Sequence, residues 1–315
     1  LIPPMHIITI LAPDFFGNPA TRNYFLEGTY IERVSYVGIV PFLFILLALA
    51  KNIHKAFWFF FISAVIIILL SFNNPISIFI HSLKIPIIGT GVPTRIMYLF
   101  GFSAAVCSAI GFNAWLKEKS VRFLPQLIFL LGIYIFLWVL VLFFPQIVHE
   151  LQIPENLLIS KKNLILPTII FLTGASLLVI SRFVGKMYLM AFAFVLLLLL
   201  EQFSFFKKIT PFSPKEFFYP ETAVLSKLKE IQGINRSWGF EDGYLETNIQ
   251  THEKVFSAEG YYPLIIRRYA ELVSSGNDGK IENIPRSTAV IPSSFGESMK
   301  ENYTREVLLT LFGVK

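Results

Sequence analysis

Charged side chains are scarce in this chain. Asp, Glu, Lys and Arg make up 15% of its 315 residues, whereas soluble domains carry about 25%. Cysteine occurs once, at Cys107 inside an apolar run, which excludes an intramolecular disulfide and a cysteine zinc cluster. No basic segment precedes a cleavable apolar core near Leu1, so no signal peptide is expected. The missing initiator Met leads us to expect a fragment of a longer protein.

Apolar residues are abundant instead. Hydrophobic residues make up 54% of the chain, 33 of its residues are Phe, and the mean hydropathy is +0.62. This composition predicts a membrane protein. Much of the net charge of +6 comes from short loops between apolar runs. Positive charge in such loops sets the orientation of transmembrane helices and does not indicate nucleic-acid binding.

Six apolar runs without Asp, Glu, Lys or Arg predict six transmembrane helices, because about 20 apolar residues span about 30 Å of hydrocarbon. The runs are residues 34–50, 56–72, 96–116, 123–144, 164–181 and 187–200. We expect aromatic residues after the short last run to extend it, with Glu201 at an interface. The predicted bundle therefore covers residues 34–202.

The basic residues of the loops predict which side is cytoplasmic, because short cytoplasmic loops concentrate Lys and Arg. One set of alternate loops is very short and carries seven basic residues: Lys51, Lys55, Lys117, Lys119, Arg122, Arg182 and Lys186. The other set is several times longer and carries four: Lys84, Arg95, Lys161 and Lys162. We therefore expect residues 1–33, the loops 73–95 and 145–163, and everything after Gln202 to lie outside the cytoplasm.

The segments on either side of the bundle have different compositions. Residues 1–33 open with a Pro-flanked apolar stretch that is too short to span, so we predict an extracytoplasmic loop with an interfacial or re-entrant piece. A second interfacial helix is expected at residues 155–160. Residues 203–220 are a Pro-rich linker, and residues 221–315 have the composition of a soluble domain. In that domain we predict helices at 221–232, 262–274 and 297–312, and strands at 235–240 and 245–256 joined by a turn at 241–243. The predicted fold is thus a polytopic α-helical membrane protein followed by an incomplete extracytoplasmic α/β domain.

The stretch from Phe72 to Arg95 interrupts the apolar runs with three prolines and two glycines. We predict a short interfacial helix at 76–83 and a Gly-containing turn at 86–94. Irregular backbone at membrane depth needs a covering of protein or a water-filled cavity, so Arg95 is a candidate binding site for an anionic head group. The alternative is that Arg95 only anchors the helix end by extending its guanidinium to the interface.

Glu32 lies one turn outside the first predicted span and is a candidate to face the same cavity as Arg95. The alternative is a belt of aromatic and charged residues that positions the loop in the interface. His81 and His149 lack a second ligand at metal spacing, so we assign no metal to them.

Several segments together resemble one family. In order they are PDFFGNP, YFLEGTYIERVSYVGIVPFLFILLALA, IPIIGTGVPTRIMYLFGFSAAVCSAIGFNAWL, FFYPETAVLSKLKE, the Asn235-Arg236 pair, EGYYPLIIRRYAELV and REVLLTLFGVK. They resemble the central and later parts of the YfhO-type bacterial membrane proteins, and the match covers most of the chain. That family is similar to multi-spanning glycosyltransferases of the GT-C class.

The resemblance implies transfer of a sugar from a polyprenyl-phosphate donor to a wall polymer, lipid or protein outside the cytoplasmic membrane of a bacterium. It implies an acidic residue in the first outer loop, upstream of Leu1, as general base or metal partner, so the catalytic loop is expected to be absent from this chain. A divalent metal in the full-length protein is an open question. We predict that Arg95 binds the donor phosphate, that Arg22 is a second cation, and that Glu32 positions the acceptor or lies near a metal.

Two other functions stay open from the sequence. A transporter or flippase of lipid-linked sugars would usually place ionisable residues inside its spans and show internal repeats. The six apolar runs hold no charged residue, and no repeat is evident. The other alternative is a noncatalytic assembly protein of the cell envelope.

Overall fold

The structure is a computed structural model. It describes residues 1–49, 55–85, 92–117, 123–209, 214–217, 219–240, 249–262, 264–281, 288–291 and 302–314, together with the single residues Gly243, Leu245 and Ser293. It is mostly helical, and the chain divides into two compact units, residues 1–212 and residues 213–315. We call them unit 1 and unit 2.

Unit 1 is built from helices. Its α-helices are α1 (Tyr30–Arg33), α2 (Ile39–Leu49), α3 (Lys55–Ser71), α4 (Pro75–Ser82), α5 (Met97–Lys117), α6 (Leu124–Phe143), α7 (Pro154–Ile180) and α8 (Met187–Ile209). Short 3₁₀ helices cover Pro4–Ile10, Pro19–Thr21, Pro93–Ile96, Pro145–Ile147 and His149–Gln152. The α4 helix confirms the short helix predicted after Phe72, and Asn74 and Ser77 cap its start reciprocally.

Four helices in the described residues are long and apolar enough to cross a membrane: Pro93–Lys117, Leu124–Phe143, Pro154–Ile180 and Met187–Lys208. The other two predicted spans correspond to α2, with 11 described helical residues, and α3, with 17. At 1.5 Å per residue, α3 rises about 25 Å, somewhat less than the hydrocarbon core. The prediction of membrane helices is therefore confirmed for four of the six runs.

The α2 helix lies at the centre of unit 1. Eight of its eleven residues are buried, and it packs against α5, α6, α7 and α8. A helix that is apolar on all sides is buried on all sides, which fits the sequence IVPFLFILLAL. Pro41 falls in the first turn, where no intrahelical hydrogen bond is lost.

The N-terminal segment is folded into the bundle. The stretch 9–18 is entirely buried. Its carbonyl groups accept hydrogen bonds from side chains of distant helices: Tyr134 binds Leu11 O at 3.1 Å and Ser160 binds Phe15 O at 2.7 Å. These bonds satisfy irregular backbone that lipid could not satisfy.

The helices α7 and α8 are longer than predicted. Residues 155–160 do not form a separate interfacial helix, because they are the first turns of α7, which Pro154 opens. Ser160 is buried against the N-terminal segment, so this part of α7 is held by protein contacts. The α8 helix continues to Ile209, and residues 203–209 are therefore helix and not linker.

Unit 2 is also mainly helical. It contains the 3₁₀ helix Lys215–Phe217, α9 (Ala223–Gln232), α10 (Ile249–Glu253), α11 (Arg267–Ser274) and α12 (Tyr303–Leu311). Among its described residues the sheet is limited to β1 (Gly260–Tyr261) and β2 (Thr288–Ala289), which are antiparallel, with Gly260 opposite Ala289. This ladder does not support the α/β class predicted for the domain.

The strand predicted at 245–256 is wrong for residues 249–253, which form α10. The loose alternation of this stretch was misleading because the buried residues are Gln250 and Val255, which are joined by a backbone hydrogen bond of 2.9 Å. Lys254 then ends the helix in the left-handed conformation, at φ 57°. Residues 235–240 contribute only isolated bridges, from Arg236 to Val314 and from Ser237 to Ser257.

Parts of several predictions lie outside the described residues. They are residue 50 of the first predicted span, residues 86–91 of the turn predicted before Arg95, and residues 210–213 and 218 of the predicted linker. In unit 2 they are residues 241–242 of the predicted turn, residues 246–248 of the second predicted strand, residue 263 of the second predicted helix and residues 297–301 of the last predicted helix.

Candidate functional site

Arg95 lies where the chain enters α5. The 3₁₀ helix Pro93–Ile96 leads directly into α5, and the preceding residue Val92 is extended. The Arg95 side chain is 73% exposed, and its Nε lies 3.8 Å from Oε1 of Glu32 in α1, whose side chain is 40% exposed. The structure thus brings together the two residues that we expected to share a cavity.

These two side chains line a cleft of about 420 Å³, which we call the Arg95 cleft. The cleft is amphipathic. Ile31 and Tyr98 are exposed on it, and it also includes Ser35 and Thr94. The hydroxyl oxygens of Ser35 and Thr94 are buried and have no hydrogen-bond partner among the described residues. Buried hydroxyls without a partner are unusual, and here two of them belong to one cleft.

A second, apolar cavity of about 390 Å³ adjoins the Arg95 cleft; we call it the α5 groove. Its floor is a row of small residues on one face of α5, and bulkier residues of α2 and α8 form its sides. The two cavities share the lining residues Tyr36, Val37 and Gly101. The small residues are Gly101, Ala105, Ser108 and Ala109.

The α5 groove follows the helix away from Arg95. It is lined from Gly101 to Phe112, and eleven residues of α-helix rise about 16 Å. Ala105, Ala109 and Val195 are exposed along it, so one side of the groove is open. Together the two cavities offer a polar end with a cation and an extended apolar channel.

The structure places Arg22 elsewhere. It follows the 3₁₀ helix Pro19–Thr21 in the left-handed conformation, at φ 53°, with an exposed side chain. Arg22 is not among the residues that line the Arg95 cleft. Its proposed role as a second phosphate-binding cation therefore has no geometric support.

The structure contains a buried ion pair that no sequence pattern predicted. Nζ of Lys208 lies 2.6 Å from Oδ2 of Asp14, and the Asp14 side chain is only 9% exposed. Oδ1 of Asp14 accepts hydrogen bonds from Tyr30 Oη at 2.7 Å and from Asn18 Nδ2 at 2.9 Å. Asn163 of α7 donates to the Asp14 carbonyl at 2.6 Å. The carboxylate thus has its charge paired and both oxygens hydrogen-bonded, which is what a buried charge requires.

This ion pair borders a small cavity of about 160 Å³, which we call the Asp14 pocket. Lys162 and Glu201 also line it, so two acidic and two basic residues share one cavity. Burial and the neighbouring Asp14 carboxylate raise the pKa of the Tyr30 hydroxyl above its ordinary value. Tyr30 therefore stays a neutral donor to Asp14. Tyr36 lines this pocket as well as the Arg95 cleft and the α5 groove.

The place of Glu201 at a membrane interface stays a prediction. In the structure Glu201 is buried, with 2% of its surface exposed. Its Oε1 accepts from the backbone N–H of Ile39 at 2.5 Å, and its Oε2 from that of Val40 at 3.2 Å. Tyr36 donates its hydroxyl to the same carboxylate. These N–H groups have no partner within α2, so Glu201 of α8 caps the start of α2, where a negative charge is favourable.

The sequence carries only weak signals for these residues. Asp14 and Asn18 stand in the aromatic stretch PDFFGNP, and Lys207 and Lys208 follow the last apolar run. The pair joins residues 194 positions apart, and no local pattern specifies such a contact. Among the described residues, no group of three or more His, Cys, Asp or Glu side chains is placed to hold a metal ion.

No known protein family, curated protein or solved structure matches this chain. The candidate site is therefore defined by its own geometry. It consists of the Arg95 cleft, the α5 groove that continues it, and the Asp14 pocket on the other side of Tyr36.

Proposed function

We propose that this chain is part of an integral membrane glycosyltransferase that transfers a sugar from a polyprenyl-phosphate donor to an acceptor outside the cytoplasm. The observation that carries the proposal is the continuity of the Arg95 cleft with the apolar α5 groove. A lipid phosphate needs both features, a cation for its head and an apolar channel for its tail. The proposal also includes membership of the YfhO-type family and six spans of the bacterial cytoplasmic membrane. It places unit 2 outside the cytoplasm.

The charges of the cleft suit the head of such a donor. Arg95 is largely exposed and its contact with Glu32 is long, so a phosphate can replace the carboxylate with two shorter, charge-assisted hydrogen bonds. An exposed ion pair of this kind contributes at most about 1 kcal/mol. Little free energy is therefore lost when the ligand separates it, and Glu32 becomes available to hydroxyl groups of the sugar or the acceptor.

The tail would lie in the α5 groove. Its volume of about 390 Å³ is within the range of small-molecule sites, about 300–1,000 Å³. The small side chains of Gly101, Ala105 and Ala109 leave room for a methyl-branched chain along α5. The open side of the groove allows such a chain to enter from the bilayer.

The reaction itself is a substitution at the anomeric carbon. The hydroxyl oxygen of the acceptor forms the new glycosidic bond, the bond from the anomeric carbon to the phosphate oxygen breaks, and polyprenyl phosphate leaves with the electron pair. Arg95 would stabilise the charge that develops on this leaving group. The hydroxyl proton passes to a carboxylate. Glu32 is the candidate in this cleft, and the resemblance implies a further acidic residue in the first outer loop of the family.

The test uses the full-length protein in isolated membranes, with labelled sugar on polyprenyl phosphate and endogenous acceptors such as wall polymer, glycolipid or protein. We expect Arg95→Ala to weaken donor binding and slow transfer by about 10- to 100-fold, because a hydrogen bond to a charged group contributes about 1.5–3 kcal/mol. The variant should remain in the membrane at normal abundance. Arg22→Ala is the matched control and should transfer normally.

A substitution in the α5 groove tests binding of the lipid tail separately from binding of the phosphate head. Ala105→Phe should fill the α5 groove and weaken binding of the long-chain donor, while binding of a donor with a very short chain stays unchanged. Normal transfer by Arg95→Ala, or equal effects of Arg95→Ala and Arg22→Ala, would refute the assignment.

Transport of lipid-linked sugars is the second candidate, and the Asp14 pocket favours it. Ionisable residues buried in a membrane bundle are typical of transport pathways, and Asp14, Glu201 and Lys208 border one cavity inside unit 1. Purified protein in vesicles separates the two functions. A transporter moves the labelled lipid between leaflets without forming a new glycosidic bond, whereas a transferase forms that bond.

A further inference from the structure

The turn that leads into α11 of unit 2 exposes large apolar side chains beside two arginines. Leu264 and Ile266 are 79% and 73% exposed, and Tyr261 and Tyr262 are exposed as well. Arg267 and Arg268 follow directly and are exposed. We call these six residues the interfacial loop.

The loop is held in this shape by unit 2 itself. The N–H of Ile265 binds the carbonyl of Tyr262 at 3.1 Å and closes the turn. Ile265 packs against a small core that includes Val273 and Leu308. Tyr269 donates its hydroxyl to the Ala258 carbonyl and holds the start of α11 against the chain before β1. The described residues around these exposed side chains are thus held by contacts within unit 2.

The positive charges of the two arginines are unfavourable at the start of α11. They occupy its first turn, which contains no acidic residue, and a positive charge at a helix N-terminus is unfavourable. Arg267 pairs with Glu271 at 2.8 Å, with 82% of its side chain exposed, and Arg268 has no ion pair among the described residues. An anionic surface beside this turn would compensate the unfavourable charge.

We propose that the interfacial loop inserts into the surface of a bilayer containing anionic lipids. Tyr side chains prefer the head-group region, aliphatic side chains prefer the acyl boundary, and arginine is attracted to anionic head groups. Unit 2 follows a candidate span directly in the sequence, so it is tethered to a membrane. Tethering makes even a weak surface contact effective. This inference does not depend on the proposed glycosyltransferase activity.

The experiment measures the depth of the loop in the full chain reconstituted into vesicles. In a Cys107→Ala background, Leu264→Cys carries an environment-sensitive fluorophore, and nitroxide-labelled lipids act as quenchers. Val224→Cys is the matched control, because Val224 lies in α9 of the same unit and is also 79% exposed. The vesicles contain phosphatidylcholine with or without phosphatidylglycerol.

We expect blue-shifted emission and quenching by labelled lipid at position 264 and not at position 224. Phosphatidylglycerol should increase the bound fraction, and Arg268→Gln should reduce this increase about fivefold, which corresponds to about 1 kcal/mol per arginine at an anionic surface. Water-like emission at position 264, or equal quenching at both positions, would overturn the proposal. So would blue-shifted emission without lipid quenching, since the loop would then be covered by protein or another polymer.

Discussion

The charged residues of unit 1 fall into two kinds. Arg95 and Glu32 are exposed and 3.8 Å apart, so their attraction adds little to stability and both charges are available to a ligand. Asp14 and Lys208 are much less exposed and 2.6 Å apart. Removing one partner of a buried pair leaves an uncompensated charge and costs about 3–5 kcal/mol, and the partial exposure of Lys208 lowers that cost. The first pair is suited to binding and the second to holding the N-terminal segment on α8.

His6 makes stability depend on pH. It is buried beside Phe16, with Nε2 3.4 Å from Tyr24 Oη. Burial, and secondarily the positive charge of Arg33, lower its pKa to about 4. Its unfolded pKa is about 6.5. Between these values the unfolded chain binds a proton that the folded chain does not, so stability falls as pH is lowered from about 6.5 to about 4.

We therefore expect the melting temperature in detergent to fall over this pH range. His6 would contribute up to about 3 kcal/mol of that loss, and His6→Gln should show a correspondingly smaller fall. Carboxylates that titrate in the same range affect both proteins equally, so the difference between the two curves isolates His6. Parallel curves for the wild type and the variant would contradict this prediction.

At the scale of elements, the crossing of α2 and α5 organises unit 1. Gly111 of α5 lies against the backbone of α2, where an added Cβ would come within 2.0 Å of the Phe44 carbonyl oxygen. The α2 backbone cannot avoid this Cβ by rotating a single bond, as a flexible side chain can. The close approach therefore requires glycine, as is common where membrane helices pack tightly.

Gly111→Ala should force α2 and α5 apart and destabilise the protein by about 1–3 kcal/mol, the usual cost of overpacking. Gly132→Ala in α6 is the matched control, because no atom lies within 4 Å of the added Cβ. Alanine favours a helix over glycine by about 1 kcal/mol, so this control should be neutral or stabilising. Thermal unfolding in mild detergent measures both changes, and an equal effect of the two substitutions would argue against the close crossing.

The distribution of basic residues predicts how the protein is oriented in the membrane. The predicted cytoplasmic loops carry seven basic residues and the opposite loops four, which favours an extracytoplasmic unit 2. In a Cys107→Ala background, Ser226→Cys should react with a membrane-impermeant maleimide in intact cells. Lys186→Cys, in a predicted cytoplasmic loop, should react only after permeabilisation. The reverse labelling pattern would invert the topology and place the Arg95 cleft on the cytoplasmic side.

Much of this protein is determined by sequence alone. Long apolar runs with few charges predict membrane helices, because the hydrocarbon core requires them, and four such helices are present. Arg95 and Glu32 could be paired in advance because each stands at the edge of an apolar run. Helices with regular spacing, such as α9, were also predicted, because their periodicity is local.

Tertiary structure decided the rest. The burial of residues 9–18, the Asp14–Lys208 pair and the capping of α2 by Glu201 join residues more than 120 positions apart. The α10 helix replaced a predicted strand because one hydrogen bond and the burial of Gln250 outweighed a weak alternation. Local propensity reflects the secondary structure that a segment favours by itself. These features depend instead on which distant groups can satisfy a buried carbonyl or charge. Only packing brings those groups together.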